Sequence, residues 1–179
     1  GLRESELIGL TWDCIDFAKG TIRVYRQFVR IASGPDKGKM MFTSLKKYKE
    51  RTIHPAPSVM DALRQAKEKQ NRQRLLAGSS WDNVYDMVFT RDNGMFIRFK
   101  TLYFHFKALV GKLNRPEVRF HDIRHTYATL AIQSEIDFKT LSLSLGHATV
   151  AFTLDTYGHV SNHMSQNAAA KMEKFIGTL

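Results

Sequence analysis

The hydrophobic period changes near residue 55, and that change limits the chain to an α+β fold. Over Thr21-Ile22-Arg23-Val24-Tyr25-Arg26-Gln27-Phe28-Val29 the residues alternate in polarity, as a strand with one buried face requires. Shorter strand candidates run from Lys39 to Thr43 and from Arg51 to His54, which stops before Pro55. A loop at Ser33-Gly34-Pro35-Asp36-Lys37-Gly38 and a basic turn at Lys46-Lys47-Tyr48-Lys49 separate them. Residues 12–54 therefore read as a small three-stranded antiparallel sheet, entered from a short helix within residues 2–10. Beyond Ser58, the expected N-cap, apolar residues recur at helical spacing. The expected helices are Val59–Leu76, Phe99–Leu113, Phe120–Ser134, Phe138–Leu145, Val150–Tyr157 and Ser165–Phe175. Met87-Val88-Phe89-Thr90 and Asp92-Asn93-Gly94 read as one more short strand and a turn. Strands segregated from helices give an α+β architecture, mostly helical with a small sheet near the N-terminus. No repeat, low-complexity tract or linker divides residues 1–179, which read as a single domain.

Charge narrows the choice of partner. Lys and Arg number 27 against 17 Asp and Glu, a net +10 and a pI near 9.8. That balance is the electrostatic footprint of a nucleic-acid binder, although ribosomal, secreted basic and membrane-surface proteins share it. The one cysteine, Cys14, rules out an internal disulfide, suits a reducing cytoplasm and reads as a small core residue. No apolar run reaches the roughly 18 residues of a membrane span, so no membrane partner is expected. No signal-peptide pattern opens the chain, which starts inside a motif and without Met, as a fragment of a longer protein would.

Chemistry-bearing residues gather in a few short stretches. His121-Asp122-Ile123-Arg124-His125 places His121 and Arg124 one helical turn apart on one face. Leu145-Gly146-His147 is followed, ten positions beyond the histidine, by Tyr157 in Asp155-Thr156-Tyr157-Gly158-His159. A guanidinium donates two parallel hydrogen bonds and stays charged, which suits the oxygens of a phosphodiester. A phenol is a weak nucleophile near neutral pH unless positive charge favours its ionised form or an imidazole takes its proton. Such a set suits attack on DNA by a tyrosine hydroxyl with no metal and no cofactor.

Gly1-Leu2-Arg3-x-x-Glu6-Leu7-x-x-Leu10-x-Trp12-x-x-Ile15-Asp16 resembles the first catalytic box of the tyrosine recombinases, the phage-integrase family. His121-x-x-Arg124-His125 resembles the second, and Leu145-Gly146-His147 through Leu154, Tyr157, His159 and Val160 the third. Three boxes in family order are a far stronger signal than any one. The resemblance implies a DNA breaking-rejoining fold and site-specific recombination that integrates or excises a mobile element or prophage. Tyr157 is then the nucleophile, forming a 3′-phosphotyrosyl bond and releasing a 5′-hydroxyl. Arg3 and Arg124 bind the phosphate, His121 is the candidate base, and His147 orients the phosphate. Glu6 is the acidic partner of Arg3, and His159 is a supporting residue. A turn lysine protonates the leaving oxygen. The turn is one residue shorter than the common pattern; Lys46 is the first choice, Lys47 the second, and Lys49 a solvated lysine.

The resemblance also implies double-stranded attachment-site DNA as partner, a homotetramer on that DNA, and accessory DNA-bending or excision factors. A monomer is expected of the free domain, inside a bacterial cytoplasm. Core-binding and arm-binding domains would precede it. The C-terminal helix would pack on its own domain or dock on a neighbouring protomer. An unassembled domain is expected to hold the Tyr157 segment away from Arg3 and Arg124, which guards against stray cleavage.

Each residue also has a plainer reading. Arg3 with Glu6 could be an i,i+3 surface ion pair. His147 could be a helix-start residue after Gly146, and Tyr157 an ordinary half-buried tyrosine. His125 and His159 read as packing or hydrogen-bonding residues, and Tyr25, Tyr48, Tyr85, Tyr103 and Tyr127 as structural. His121 and His125 could ligate a metal at i,i+4, but Arg124 beside them opposes a cation. Two rival functions stay open. Phe138–Leu145, Gly146 and Val150–Tyr157 mimic a non-catalytic helix-turn-helix, a reading that gives Arg3, His121 and Arg124 no task. A type IB topoisomerase would use similar residues to reseal the same strand.

Overall fold

The structure, a computed structural model, describes residues 1–45, 50–161 and 172–178. Its contacts divide the chain into two compact units, Leu2–His121 and Gly1 with Asp122–Leu179.

The larger unit holds the sheet. Helix α1 (Glu4–Ile8) leads through a 3-10 turn at Trp12–Cys14 into β1 (Ile15–Asp16), β2 (Thr21–Val24), β3 (Arg26–Arg30), β4 (Met40–Ser44) and β5 (Arg51–Ile53). Two small antiparallel sheets result, one ordered β1-β2-β5 and the other pairing β3 with β4. The alternating run expected as one strand is thus split at Tyr25. The buried phase of that run is Ile22, Val24, then Arg26, and a guanidinium does not enter an apolar core unpaired. Arg26 instead bonds Thr11 and Asp13 and lies over the Phe42 ring, so the chain leaves one sheet for the other there. A three-stranded antiparallel sheet does form, but its third member is the short Ile15–Asp16 strand.

Helix α2 (Pro57–Ala77) begins one residue before the expected cap. Pro57 sits in its first turn and Ala56 is the N-cap, so Ser58 is helical. Proline suits that position because it lacks an N–H that the first turn would leave unbonded. Buried Gln70 ties α2 to its surroundings: its Oε1 accepts from the Trp12 indole at 2.7 Å, and its Nε2 donates to the Met87 and Val88 carbonyls. Residues 87–90 form only isolated bridges, Thr11 with Met87 and Thr90 with Phe96. Leu10, Trp12, Cys14, Ile22, Val24, Met60 and Val88 belong to one core cluster, and Phe28, Met87 and Ile8 form a second. Cys14 is buried, as read from sequence. Helix α3 (Phe99–Lys112) completes the unit, with Phe106 stacked edge-on against Phe120 at the start of α4 (Phe120–Gln133).

The smaller unit contains most of α4, then α5 (Phe138–Leu145) and α6 (Val150–Tyr157), which match the expected helices, and a 3-10 turn at Gly158–Ser161. Asp137 caps α5 by accepting from Thr140 N–H, and Thr149 caps α6 by accepting from Phe152 N–H. The core is Ala128, Ala131 and Ile132 of α4, Leu141 and Leu145 of α5, and Tyr157 of α6. Residues 172–176 are helical and exposed; the rest of the helix expected at Ser165–Phe175 lies outside the described residues. Among the described residues no helix is long and apolar enough to cross a membrane.

Candidate active site

Arg3 is the N-cap of α1, and Glu6 is the third residue of that helix. The Glu6 carboxylate turns back to accept from the Arg3 backbone N–H at 2.9 Å, which satisfies one of the donors a helix start leaves unbonded. The same carboxylate takes a bond from Arg3 Nη1 at 3.0 Å. The two form an i,i+3 ion pair, but a buried one and not the surface pair of the plainer reading, since the Glu6 side chain is fully buried. Sequence reasoning did not foresee Arg51. From the first position of β5 it grips both Glu6 oxygens, at 3.1 and 2.7 Å. The available signal was that a glutamate on the buried face of a helix needs a countercharge. Burial alone would push the Glu6 carboxyl up; the bonds and charges of Arg51 and Arg3 overturn that and hold it below its usual range. Lys46 and Lys47, with Lys49, lie outside the described residues.

His121 is the second residue of α4, exposed and assigned by contacts to the larger unit. Arg124, one turn on, is 4% exposed. Its Nη1 donates to the Gly1 carbonyl at 2.5 Å and its Nη2 to the Leu145 carbonyl at 2.6 Å. Gly1 has no room for a side chain, because a Cβ there would lie 2.6 Å from the Tyr127 ring.

The Leu145-Gly146-His147 stretch works as a helix stop. Gly146 ends α5 in the left-handed region, φ 66 and ψ 44, which glycine enters without penalty. The His147 N–H bonds back to the Ser142 carbonyl, closing the turn. His147 Nδ1 then meets Oγ1 of fully buried Thr153 at 2.8 Å, which fixes the ring. That ring lies parallel to the Tyr157 ring, 6° between planes with centroids 6.5 Å apart.

Tyr157 ends α6 and is 4% exposed. Its hydroxyl lies 2.8 Å from His125 Nδ1. Against the expectation of a segment held away from Arg124, the phenol is packed and hydrogen-bonded within the unit that holds Arg124, and the Arg124 charge acts on it; the Arg3 half of that expectation concerns the other unit. Burial pushes this phenol above its usual value, and Arg124 pulls it down without reversing the shift. His125, read as a packing or hydrogen-bonding residue, does bond, and its partner is the candidate nucleophile. Its position four residues after His121, on the same helix face, was the sequence clue. His159 is exposed in the turn after α6.

The smaller unit thus unites Arg124, His125, His147 and Tyr157, while the larger holds Arg3 with Glu6 and Arg51. A buried phenol on an imidazole, near an anchored guanidinium, has the donors and acceptors for nucleophilic attack on an anionic ester. The chain belongs to the phage integrase family, the tyrosine recombinases: the model of that family matches residues 1–164. A XerC-like tyrosine recombinase of Caldanaerobacter subterraneus subsp. tengcongensis is 32% identical over 94% of this chain and 45% of its own length. The transposase of transposon Tn916 from Enterococcus faecalis is 27% identical over 97% of this chain and 42% of its own. Among solved structures, the Tn1549 transposon integrase in complex with transposon right end DNA aligns with a TM-score of 0.72. It is 24% identical and covers 97% of this chain and 54% of that one. The XerA recombinase aligns at 0.63 with 22% identity, over 99% of this chain and 53% of that one. The structural likenesses establish the fold, an α+β domain of recombinase type. The chain spans less than half the length of these curated relatives.

Proposed function

We propose that this chain is the catalytic part of a site-specific recombinase that integrates or excises a mobile element through a 3′-phosphotyrosyl intermediate. The observation that carries the reading is the Tyr157 hydroxyl held on His125 within the unit that contains Arg124. On bound DNA, Tyr157 oxygen attacks the scissile phosphorus and the bond from phosphorus to the 5′-oxygen breaks. The phenolic proton passes to an imidazole: His121 is the candidate base by family analogy, and His125 already touches the hydroxyl. Lys46, or Lys47 in its place, protonates the departing oxygen. Arg3 and Arg124 stabilise charge on the non-bridging oxygens, and His147, its ring fixed through Nδ1 by Thr153, donates to one of them from Nε2. Attack by the 5′-hydroxyl of another strand reverses the sequence and exchanges strands. The ester keeps the bond energy, so the scheme requires neither ATP nor a metal ion. His159 supports the Tyr157 end of the site.

The partner is double-stranded attachment-site DNA in a bacterial cytoplasm, bound as a homotetramer with accessory DNA-bending or excision factors. The net +10 charge suits such a partner, and binding should weaken steeply with salt. The test is formation of an SDS-resistant adduct with a nicked duplex built from the element's own host junction, in EDTA, beside Tyr157→Phe. An adduct that disappears in the variant is the expected result. Tight binding by the intact protein without an adduct would instead favour a helix-turn-helix role for α5 and α6, and resealing without exchange would favour a topoisomerase.

A further inference from the structure

One buried carboxylate stands between two guanidiniums in the larger unit. Each Glu6 oxygen takes one bond from Arg51; Arg3 adds its backbone N–H to Oε2 and its Nη1 to Oε1. The Glu6 side chain is fully buried, the Arg51 side chain 7% exposed and the Arg3 side chain 18%. The order from the interior outward is thus Glu6, Arg51, Arg3. Glu6, Arg51 and Arg3 by themselves sum to +1. We infer that Arg51 is a positioning residue for strand cleavage: its grip on both oxygens makes it the main countercharge of Glu6, so that Arg3 does not have to supply that charge alone when it meets the scissile phosphate.

The reasoning is electrostatic. A carboxylate removed from water demands a full countercharge. The bidentate grip of Arg51 supplies it, because a planar fork matches both oxygens at once. Without Arg51 the sole remaining cation on Glu6 among these three residues is Arg3. The group would then be neutral overall, and Arg3 would be drawn inward by an otherwise unpaired carboxylate. Without Glu6, two like charges would face each other and Arg3 would lose the bond that sets its direction. Arg51 needs no contact with DNA for this role.

The inference rests on the proposed role of Arg3 as a phosphate ligand, and the experiment separates the two. Adduct formation by the intact protein is timed on a nicked duplex of the element's host junction, with either the natural phosphate or a methylphosphonate at the scissile position. The methylphosphonate lacks one anionic oxygen, so a variant deficient only in positive charge at the phosphate should lose its handicap there. A misfolded variant should stay slow on both. Arg51→Gln is expected to slow cleavage of the natural duplex by about 10-fold or more, less than the ~10²- to 10³-fold of a lost direct donor. On the methylphosphonate the deficit should largely vanish, and Arg3→Ala should show the same relief. Relief for Arg3→Ala with none for Arg51→Gln overturns the inference and leaves Arg3 in place. No relief for Arg3→Ala removes both. Should Arg51→Gln fail to fold by circular dichroism, Glu6→Gln with Arg51→Gln replaces it. That pair abolishes the unpaired carboxylate and keeps the net +1, so it is expected to cleave the natural duplex much faster than Arg3→Ala. A folded double variant as slow as Arg3→Ala overturns the inference.

Discussion

His125 Nδ1 lies 2.8 Å from the Tyr157 hydroxyl, and the two rings sit 5.8 Å apart with 54° between their planes. The contact joins the residue after Arg124 on α4 to the last residue of α6. It holds a buried phenol in one orientation before any DNA arrives.

His125→Phe keeps a ring of similar girth and removes the nitrogen. Adduct formation should slow by roughly 10²-fold, the lower end of what a positioned acid-base group contributes. Salt-dependent DNA binding should stay near its original strength. An unchanged rate in single-turnover assays would exclude His125 from the reaction and leave the proton to His121.

Glu6 makes stability pH-dependent, and the sign follows from its lowered carboxyl value. In the unfolded chain the group titrates near ~4.3. Its contribution is therefore fully present above that range and lost as pH falls through the lower folded value. Glu6→Gln leaves Arg51 and Arg3 facing each other and should cost about 3–5 kcal/mol near pH 7. Urea unfolding at pH 7, 5 and 3 should show the gap between the two proteins narrowing toward acid. A gap that does not change with pH would mean that the carboxylate is not ion-paired in the fold.

Arg124→Lys exchanges a fork that reaches the Gly1 and Leu145 carbonyls for a single ammonium. At least one buried carbonyl loses its donor, at a cost of about 1–3 kcal/mol. For a chain of this size each kcal/mol lowers Tm by about 2–4 °C. Calorimetry reads that loss, and the adduct assay should show a rate deficit that remains at temperatures where the variant is fully folded.

Gly146→Ala forces a side chain into φ 66. The strain is about 1–2 kcal/mol, and Gly146→Asn should recover part of it because a short polar side chain tolerates this region. A thermal melt in which Ala and Asn are equally stable would show that the turn relaxes. The turn also delivers His147 to Thr153, so the alanine variant should lose cleavage as well as stability.

Much of the fold was legible because helices leave a periodic trace. Phe138–Leu145 and Val150–Tyr157 coincide with the observed helices, bounded by Asp137, Gly146 and Thr149, which carry their own cap chemistry. The sheet was less legible. Alternation continues through Arg26 as if one strand ran on, while the chain changes partners there because a guanidinium breaks the buried face. Among site residues, the box motifs marked Arg3, Arg124, His147 and Tyr157, and the structure gives each a defined setting. Arg51 and Thr153 carry no motif. They matter through two hydrogen bonds from Arg51 to Glu6 and one contact of Thr153 with His147, and a pairing of residues 45 apart leaves no local pattern. Tyr157 shows a different limit: spacing identified the residue but could not tell whether its hydroxyl was engaged.

The two bonds of Arg124 tie α4 to the Gly1 and Leu145 carbonyls, all within the smaller unit. Both acceptors are backbone carbonyls, which every amino acid supplies. Substitutions at 145 can change the side chain without changing the acceptor, so this bridge should leave no correlated substitutions among relatives. Contact inference from sequence covariation would pass over it, and a redesign guided by such maps would treat as independent three residues that one guanidinium holds together.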